Sequence, residues 1–198
     1  MTPYITVVTP FTVAGRTNRH KIPNVKHTGD IPAFDFDPKA DAGTLLDNTS
    51  QLFSRSDAIK HCEIEMCYDV DEDTGEFIYF VGRGIFHPDD LKNIQPDMVS
   101  FEICGLYAIF TTPLVPFGQN KQFAQAIRDT WHYIFVEWLP NSEFEYDETR
   151  KDFEFYDGKC HGWYFDCKTQ GEIHIPIRQR DEALKKSQEK MKILWAER

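Results

Sequence analysis

The sequence predicts an α+β fold in which two β-α-β-β units join their strands into one antiparallel sheet with both helices on one face. The order strand, helix, strand, strand occurs twice, and the strand segments alternate apolar and polar residues with a period of two. No sequence repeat of fixed period is visible, so the duplication follows from element order alone. A cleft between the two halves is the expected ligand site.

The first half contains one predicted helix and three predicted strands. They are a strand over 4–15, a helix over 42–59, and strands over 62–68 and 76–81. The first strand is rich in β-branched residues and contains Pro10, which predicts an interruption there. In the second strand, strict alternation places Glu63 and Glu65 together on the face expected to meet solvent.

The second half repeats this order. Its predicted elements are a strand over 98–110, a helix over 122–138, and strands over 152–156 and 171–177. Gly105 in the long strand favours a bend or a bulge. The helix has the strongest apolar face in the chain, and Pro140 is expected to end it.

The chain length limits the number of domains. A chain of 198 residues and 23.1 kDa fits one domain, or two small related halves, better than two independent domains. We predict a single domain over 1–180, with halves of about 1–90 and 91–180. The predicted C-terminal extension over 181–198 is a helix that packs on the body of the domain.

Charge and hydropathy exclude several functional classes. The net charge is −10 and the isoelectric point about 5.1, so the surface repels phosphate backbones and direct nucleic-acid binding is not expected. No apolar run approaches the roughly 18 residues of a membrane span, and the N-terminus lacks a signal-peptide pattern. A cytoplasmic protein is expected. Aromatic residues make up 14% of the chain, which suits a ligand cavity walled by rings.

Five cysteines without paired spacing argue against both a disulfide framework and a zinc site. The histidines also lack a metal-type grouping. The sequence therefore predicts reduced thiols, no bound metal and no cofactor.

Acidic residues on predicted strands are the candidates for chemistry. Glu154 lies between Phe153 and Phe155, so it shares a strand face with Tyr156. Glu172 and His174 share one face of the last strand, and Glu102 precedes Tyr107 on the long strand. Each glutamate either lies on a solvated face or is a poorly solvated carboxylate among rings. A poorly solvated carboxylate among rings is stabilised by an organic cation, or it has a raised pKa and can act as a base.

Two tryptophans share a face of the predicted helix because they are seven residues apart. We expect Trp131 to lie in the core. Trp138 ends the helix just before Pro140, where the mouth of a cleft is expected.

Four segments in order over residues 98–177 resemble motifs of the GyrI-like effector-binding domains. The matching segments are FEICGLYAIF at 101–110, WHYIFVEWLPNS at 131–142, FEFYD at 153–157 and EIHIPI at 172–177. The first half is similar more loosely, through FTVAG at 11–15 and YFVG at 79–82. Residues after Arg178 lie outside the resemblance.

The resemblance implies a duplicated fold with a ligand cleft on a pseudo-two-fold axis. In AraC- or MerR-type regulators such domains sense drugs, and a buried Glu with several rings binds lipophilic cations. Glu154 matches that Glu, and Tyr107 matches the ring of the long strand; these two are the predicted catalytic residues. Glu172 matches a secondary acidic position, and His174 stands where a Tyr is usual. The predicted ligand-binding residues are Trp138, Glu172, His174, Tyr156, Tyr79 and Trp163.

No helix-turn-helix segment accompanies the domain within these 198 residues, which predicts a stand-alone form. Three roles follow from the resemblance. They are binding or sensing of hydrophobic drugs, inhibition of DNA gyrase, and detoxifying hydrolysis of cyclopropane-bearing DNA alkylators. In the hydrolase, Glu154 would activate or orient water and the Tyr107 hydroxyl would be its proton partner. The expected partner is a small hydrophobic or cationic aromatic ligand, with a homodimer and gyrase as alternatives.

Overall fold

The chain folds around an antiparallel sheet that closes on itself. The computed structural model describes residues 1–21, 63–71, 73–85, 94, 96–161 and 167–180. Three predicted features lie outside these residues: the helix over 42–59, Trp163 and the extension over 181–198. No helix in the described part of the chain is long and apolar enough to cross a bilayer.

The described strands comprise the six that the sequence predicts, in the predicted order, and three further short ones. They are β1 (Tyr4–Lys21), β2 (Glu63–Tyr68), β3 (Glu76–Ile85), β4 (Val99–Thr111), β5 (Val115–Pro116), β6 (Phe144–Tyr146), β7 (Phe153–Tyr156), β8 (Lys168–Thr169) and β9 (Glu172–Gln179). Six of them pair in a closed ring of order β4-β1-β3-β2-β7-β9, since β9 also pairs with β4. β6 adds to the end of β9, and β5 pairs with β8 in a separate ribbon.

The ring of pairings has a pseudo-two-fold symmetry. Exchanging β1 with β4, β2 with β7 and β3 with β9 leaves every neighbour relation unchanged. Each half therefore contributes the same three strands, and the halves meet at β1–β4 and at β2–β7. The duplication expected from element order is visible in these pairings.

β1 is longer than predicted and runs through Pro10 without ending. The register between β1 and β4 shifts between Val8 and Phe11, so the proline lies in a bulge where no ladder hydrogen bond is required of it. Gly105 lies opposite Val8 with φ of +102°, the left-handed backbone that favours glycine. The bend or bulge predicted at Gly105 is therefore confirmed as a bulge in the β1–β4 pairing.

The predicted helix over 122–138 consists of three segments. They are α1 (Asn120–His132), a π-helical segment (Tyr133–Trp138) and the short α2 (Leu139–Asn141). Pro140 lies within α2 rather than beyond the helix. The helix ends at Asn141, one residue beyond Pro140, which agrees with the low tolerance of helices for a residue that lacks a backbone N–H.

The two faces of the ring carry different cores. The helix face packs against α1 and the π-helical segment; its buried residues are Ala108, Phe110, Ile134, Phe144, Ile173, Ile175 and Ile177. The inner face lies inside the ring, where five strands contribute to one cluster; its buried residues are Val13, Ile64, Met66, Phe80, Ile103, Tyr107 and Phe153. Because neighbouring residues of a strand alternate between these faces, pairing register decides which side chains meet.

Candidate functional site

Two glutamates lie directly opposite each other where the two halves meet. Glu65 of β2 pairs with Glu154 of β7, and these strands are exchanged by the pseudo-two-fold symmetry. Glu154 also lies opposite Ile173, which belongs to the helix face. Directly opposed side chains in an antiparallel pair lie roughly 5 Å apart at Cβ, so the two carboxyl groups are close neighbours.

Glu154 accepts hydrogen bonds from two aromatic side chains. The indole Nε1 of Trp131 donates to Glu154 Oε1 at 2.6 Å, and the Tyr156 hydroxyl donates to Glu154 Oε2. Burial raises the pKa of Glu154, while these two hydrogen bonds oppose the rise by stabilising the ionised form. A carboxylate with two donors is the better stabilised member of the pair.

Glu65 is less favourably placed for a negative charge. The Tyr79 hydroxyl donates to Glu65 Oε2 at 2.5 Å. The pKa of Glu65 is raised well above its ordinary value by burial first, and then by the charges of Glu154 and Glu63. Glu65 was expected on a solvated face, and that expectation is corrected: it is partly buried because it lies against the second half of the molecule.

A third carboxyl group precedes β7. The Tyr146 hydroxyl donates to Asp152 Oδ2 at 3.0 Å. Burial and the charge of Glu154 raise the pKa of Asp152 to about 6, although the Tyr146 hydrogen bond acts in the opposite direction. Within the described ranges, neither Glu65 nor Glu154 contacts a lysine, arginine or histidine side chain. The site is therefore acidic, aromatic and without a basic counter-ion from these residues.

Tyr107 does not lie beside Glu154. It is opposite Pro176 on the inner face, packs against Phe153 with ring centroids 5.8 Å apart, and donates its hydroxyl to the Lys151 carbonyl at 3.0 Å. The proton exchange predicted between Tyr107 and Glu154 is corrected, because the sheet separates the two side chains.

Glu172 and His174 share a face, as predicted, but it is not the face of Glu154. Glu172 contacts Lys159 and lies 3.1 Å from His174 Nε2. Burial alone would raise its pKa, but the hydrogen bonds from His174 and Lys159 lower the pKa of Glu172 to about 2. His174 stacks on Phe153 at 4.5 Å. The Lys159–Glu172 ion pair and the His174 contact with Glu172 lie apart from the Glu65–Glu154 pair.

Both tryptophans pack against the core of the helix face, as expected for Trp131. Trp138, expected at a cleft mouth, packs edge-on against Phe110 at 4.9 Å and lies nearly parallel to Phe144 at 6.3 Å. Trp131 in addition donates to Glu154.

Sequence reasoning missed Glu65 and Trp131 as site residues. The signal for Glu65 was the duplication itself, because β2 and β7 are equivalent strands and each carries a glutamate at the point where they pair.

No group of three metal-ligating side chains occurs among residues that the structure describes. The carboxyl groups of Glu65 and Glu154 are engaged by phenol and indole donors instead. Such an arrangement suits an organic cation better than a metal ion, because a metal ion needs several oxygen atoms to coordinate it.

Comparisons with known proteins agree on the family and the fold. The family described as Cass2, integron-associated effector binding protein, matches residues 4–177. No curated protein matches the sequence at a significant level. SAV2435, solved bound to tetraphenylphosphonium, has a TM-score of 0.52 and 16% identity, covering 90% of this chain and 94% of that one.

Two further solved structures share the fold. The EcmrR C-terminal domain has a TM-score of 0.52 and 10% identity, covering 90% of this chain and 98% of that one. A bacterial transcription regulation protein from Staphylococcus aureus MU50 has a TM-score of 0.50 and 15% identity, covering 90% and 99%. The predicted GyrI-like effector-binding domain and its α+β fold are thereby confirmed.

Proposed function

Because the chain belongs to the Cass2 family of integron-associated effector-binding proteins, we propose that it binds large, hydrophobic organic cations at the Glu65–Glu154 pair. The observation that carries this proposal is the contact set of the pair. Two opposed carboxyl groups accept hydrogen bonds from Trp131, Tyr79 and Tyr156, and no basic side chain of the described residues contacts them.

The chemistry of the site favours a large, weakly hydrated cation. A carboxylate among rings is poorly solvated, so a positive charge that enters with its own apolar surface stabilises it at a low cost of desolvation. The faces of Trp131 and of the tyrosines add cation–π attraction of about 0.5–2 kcal/mol. SAV2435 was solved with tetraphenylphosphonium, a ligand of this class.

The test is a titration with tetraphenylphosphonium, followed by tryptophan fluorescence and calorimetry. Since Trp131 contacts Glu154, ligand binding at the pair is expected to change its emission. Glu154→Gln is expected to weaken binding at least about tenfold, because the cation loses its ionised partner. The matched control is Glu137→Gln, an exposed glutamate of the π-helical segment. Absence of binding, or equal affinities in wild type and Glu154→Gln, would overturn the proposal.

A second candidate function is hydrolysis of cyclopropane-bearing alkylators, and the unequal environments of the two glutamates favour it. Glu154 is the better stabilised carboxylate and Glu65 the more readily protonated group, which is the division between a base and an acid. Glu154 would take a proton from a water molecule as the oxygen of that water attacks a carbon of the cyclopropane ring. The C–C bond breaks, its electron pair passes to a conjugated carbonyl oxygen, and Glu65 protonates that oxygen.

Turnover is checked with substoichiometric protein and a cyclopropane-bearing alkylator, with mass spectrometry of the ligand. The hydrolase predicts many equivalents of a product heavier by one water, and loss of turnover in both Glu65→Gln and Glu154→Gln. Recovery of intact ligand that nevertheless binds would leave a binding protein without hydrolase activity.

A further inference from the structure

The Glu65–Glu154 pair has two carboxyl groups but unequal support for negative charge. Among the residues that the structure describes, Glu154 accepts from two donors, Trp131 and Tyr156, whereas Glu65 accepts from one, Tyr79, and has a second acidic neighbour in Glu63. We propose that the ligand-free protein holds one proton on this pair, keeps it when a monocation binds, and releases it when a dication binds. This inference rests on the proposed function and extends the ligand class to flat organic dications.

Glu65 and Glu154 share a proton because they lie directly opposite each other on paired strands. Two like charges at adjacent positions in a poorly solvated site repel strongly, and one proton removes that repulsion. The raised pKa values of both glutamates agree with this state. The pair then carries one negative charge, which a monocation neutralises without any change in protonation.

A dication changes the balance at the pair. Its second positive charge lies beside a neutral carboxyl group, and ionisation of that group supplies the missing negative charge. Glu65 is the group that loses the proton, because Glu154 is already stabilised in its ionised form by two donors. The proton leaves to solvent, so dication affinity increases with pH while monocation affinity does not.

Other ionisable groups near the pair in the described part of the chain come from five strands and the loop before β7. They include Glu63 and Cys67 on β2, Tyr79 on β3, Tyr146 on β6, Tyr156 on β7, Asp152 just before β7, and His20 of β1, whose ring packs on that of Tyr79. Burial raises the pKa of Cys67 and of the three tyrosines, so these groups stay neutral near pH 7. Asp152, with a pKa of about 6, is mostly ionised above pH 7, and experiments above that pH minimise its contribution.

The experiment is calorimetric titration with two probes, tetraphenylphosphonium as monocation and methyl viologen as flat dication. Each titration is run at pH 7.5 in phosphate and in Tris, whose different ionisation enthalpies report the protons released. Methyl viologen is expected to release about one proton and tetraphenylphosphonium fewer than about 0.2. Between pH 7 and pH 8 the affinity for methyl viologen should rise about tenfold, against less than about twofold for tetraphenylphosphonium.

Variants and outcomes separate this inference from the proposed function. Glu65→Gln is expected to abolish proton release on dication binding, whereas the exposed control Glu137→Gln retains it. Release of fewer than about 0.3 protons by the dication, or equal release by both probes, would overturn the inference although cations still bind. Failure of tetraphenylphosphonium to bind at all would overturn the proposed function instead.

Discussion

Replacing Glu65 by glutamine is expected to raise the free energy of unfolding by about 2 kcal/mol at pH 8. In the wild type at pH 8, Glu65 has to take up a proton when the chain folds, because a second charge beside Glu154 would lie where no described basic side chain compensates it. Glutamine keeps the shape and an oxygen acceptor for the Tyr79 hydroxyl, so it removes this cost with little change in packing.

The pH dependence has a definite sign. The pKa values of Glu65 and Glu154 are raised on folding, so the folded protein binds more protons than the unfolded chain above the ordinary carboxyl pKa. Stability therefore falls as the pH rises from about 5 towards 8. Glu172 acts in the opposite direction: its pKa is lowered to about 2, and its contribution is lost as the pH falls from about 4.5 towards 2. Maximum stability is expected near pH 5.

Urea unfolding of wild type, Glu65→Gln and Glu137→Gln from pH 5 to pH 8 measures this effect. The Glu65→Gln curve is expected to be flatter than the wild-type curve, and that of Glu137→Gln to run parallel to it. A Glu65→Gln protein that is less stable than wild type at pH 8 would show that the ionised pair contributes to folding, and the charge argument would fail.

If Glu65→Gln stabilises the protein, the carboxyl pair at the β2–β7 junction lowers the stability of the wild type. The described parts of the two halves form two apolar cores, one on the helix face and one inside the ring. Such cores tolerate one poorly solvated carboxyl pair at the expense of some stability, and ligand binding recovers it.

The order of helices and strands predicted the fold, and alternation within each strand predicted part of the site. It placed Glu154 and Tyr156 on one face, and the Tyr156 hydroxyl does donate to Glu154. It also placed Glu63 and Glu65 together, but it does not reveal which face another part of the chain covers. That information resides in the β2–β7 pairing, which joins residues about ninety positions apart.

Register between strands was beyond prediction, and Tyr107 shows the consequence. Tyr107 lies opposite Pro176, and Glu154 lies opposite Ile173. Because Pro176 and Ile173 are an odd number of residues apart on β9, they belong to different faces of the sheet, and so do Tyr107 and Glu154. A register different by one residue would have brought them together. The π-helical segment had a similar effect on the helix: its wider turns rotate Trp138 relative to Trp131, and a heptad spacing no longer places both at the carboxylate.

Gly15→Ala is expected to lower the free energy of unfolding by about 3 kcal/mol, the largest effect of any conservative substitution that we predict. Gly15 of β1 lies directly opposite Gly82 of β3, and a Cβ at position 15 would overlap the carbonyl oxygen of Val81 and the Cα of Gly82. Both obstacles are backbone atoms, so the overlap can be relieved only if β1 and β3 separate. These two strands are neighbours in the closed ring, and their pairing holds the first half together.

The matched control is Gly118→Ala, which adds the same methyl group in open space but at a φ of +84°. Its cost is the left-handed backbone alone, about 1 kcal/mol. Urea unfolding of both variants distinguishes steric overlap from backbone strain. Because β3 carries Tyr79, separation of β1 from β3 should also weaken tetraphenylphosphonium binding in Gly15→Ala and leave it intact in Gly118→Ala. Equal losses of stability in the two variants would mean that the β1–β3 contact yields easily, and that the ring does not depend on the close approach of these two glycines.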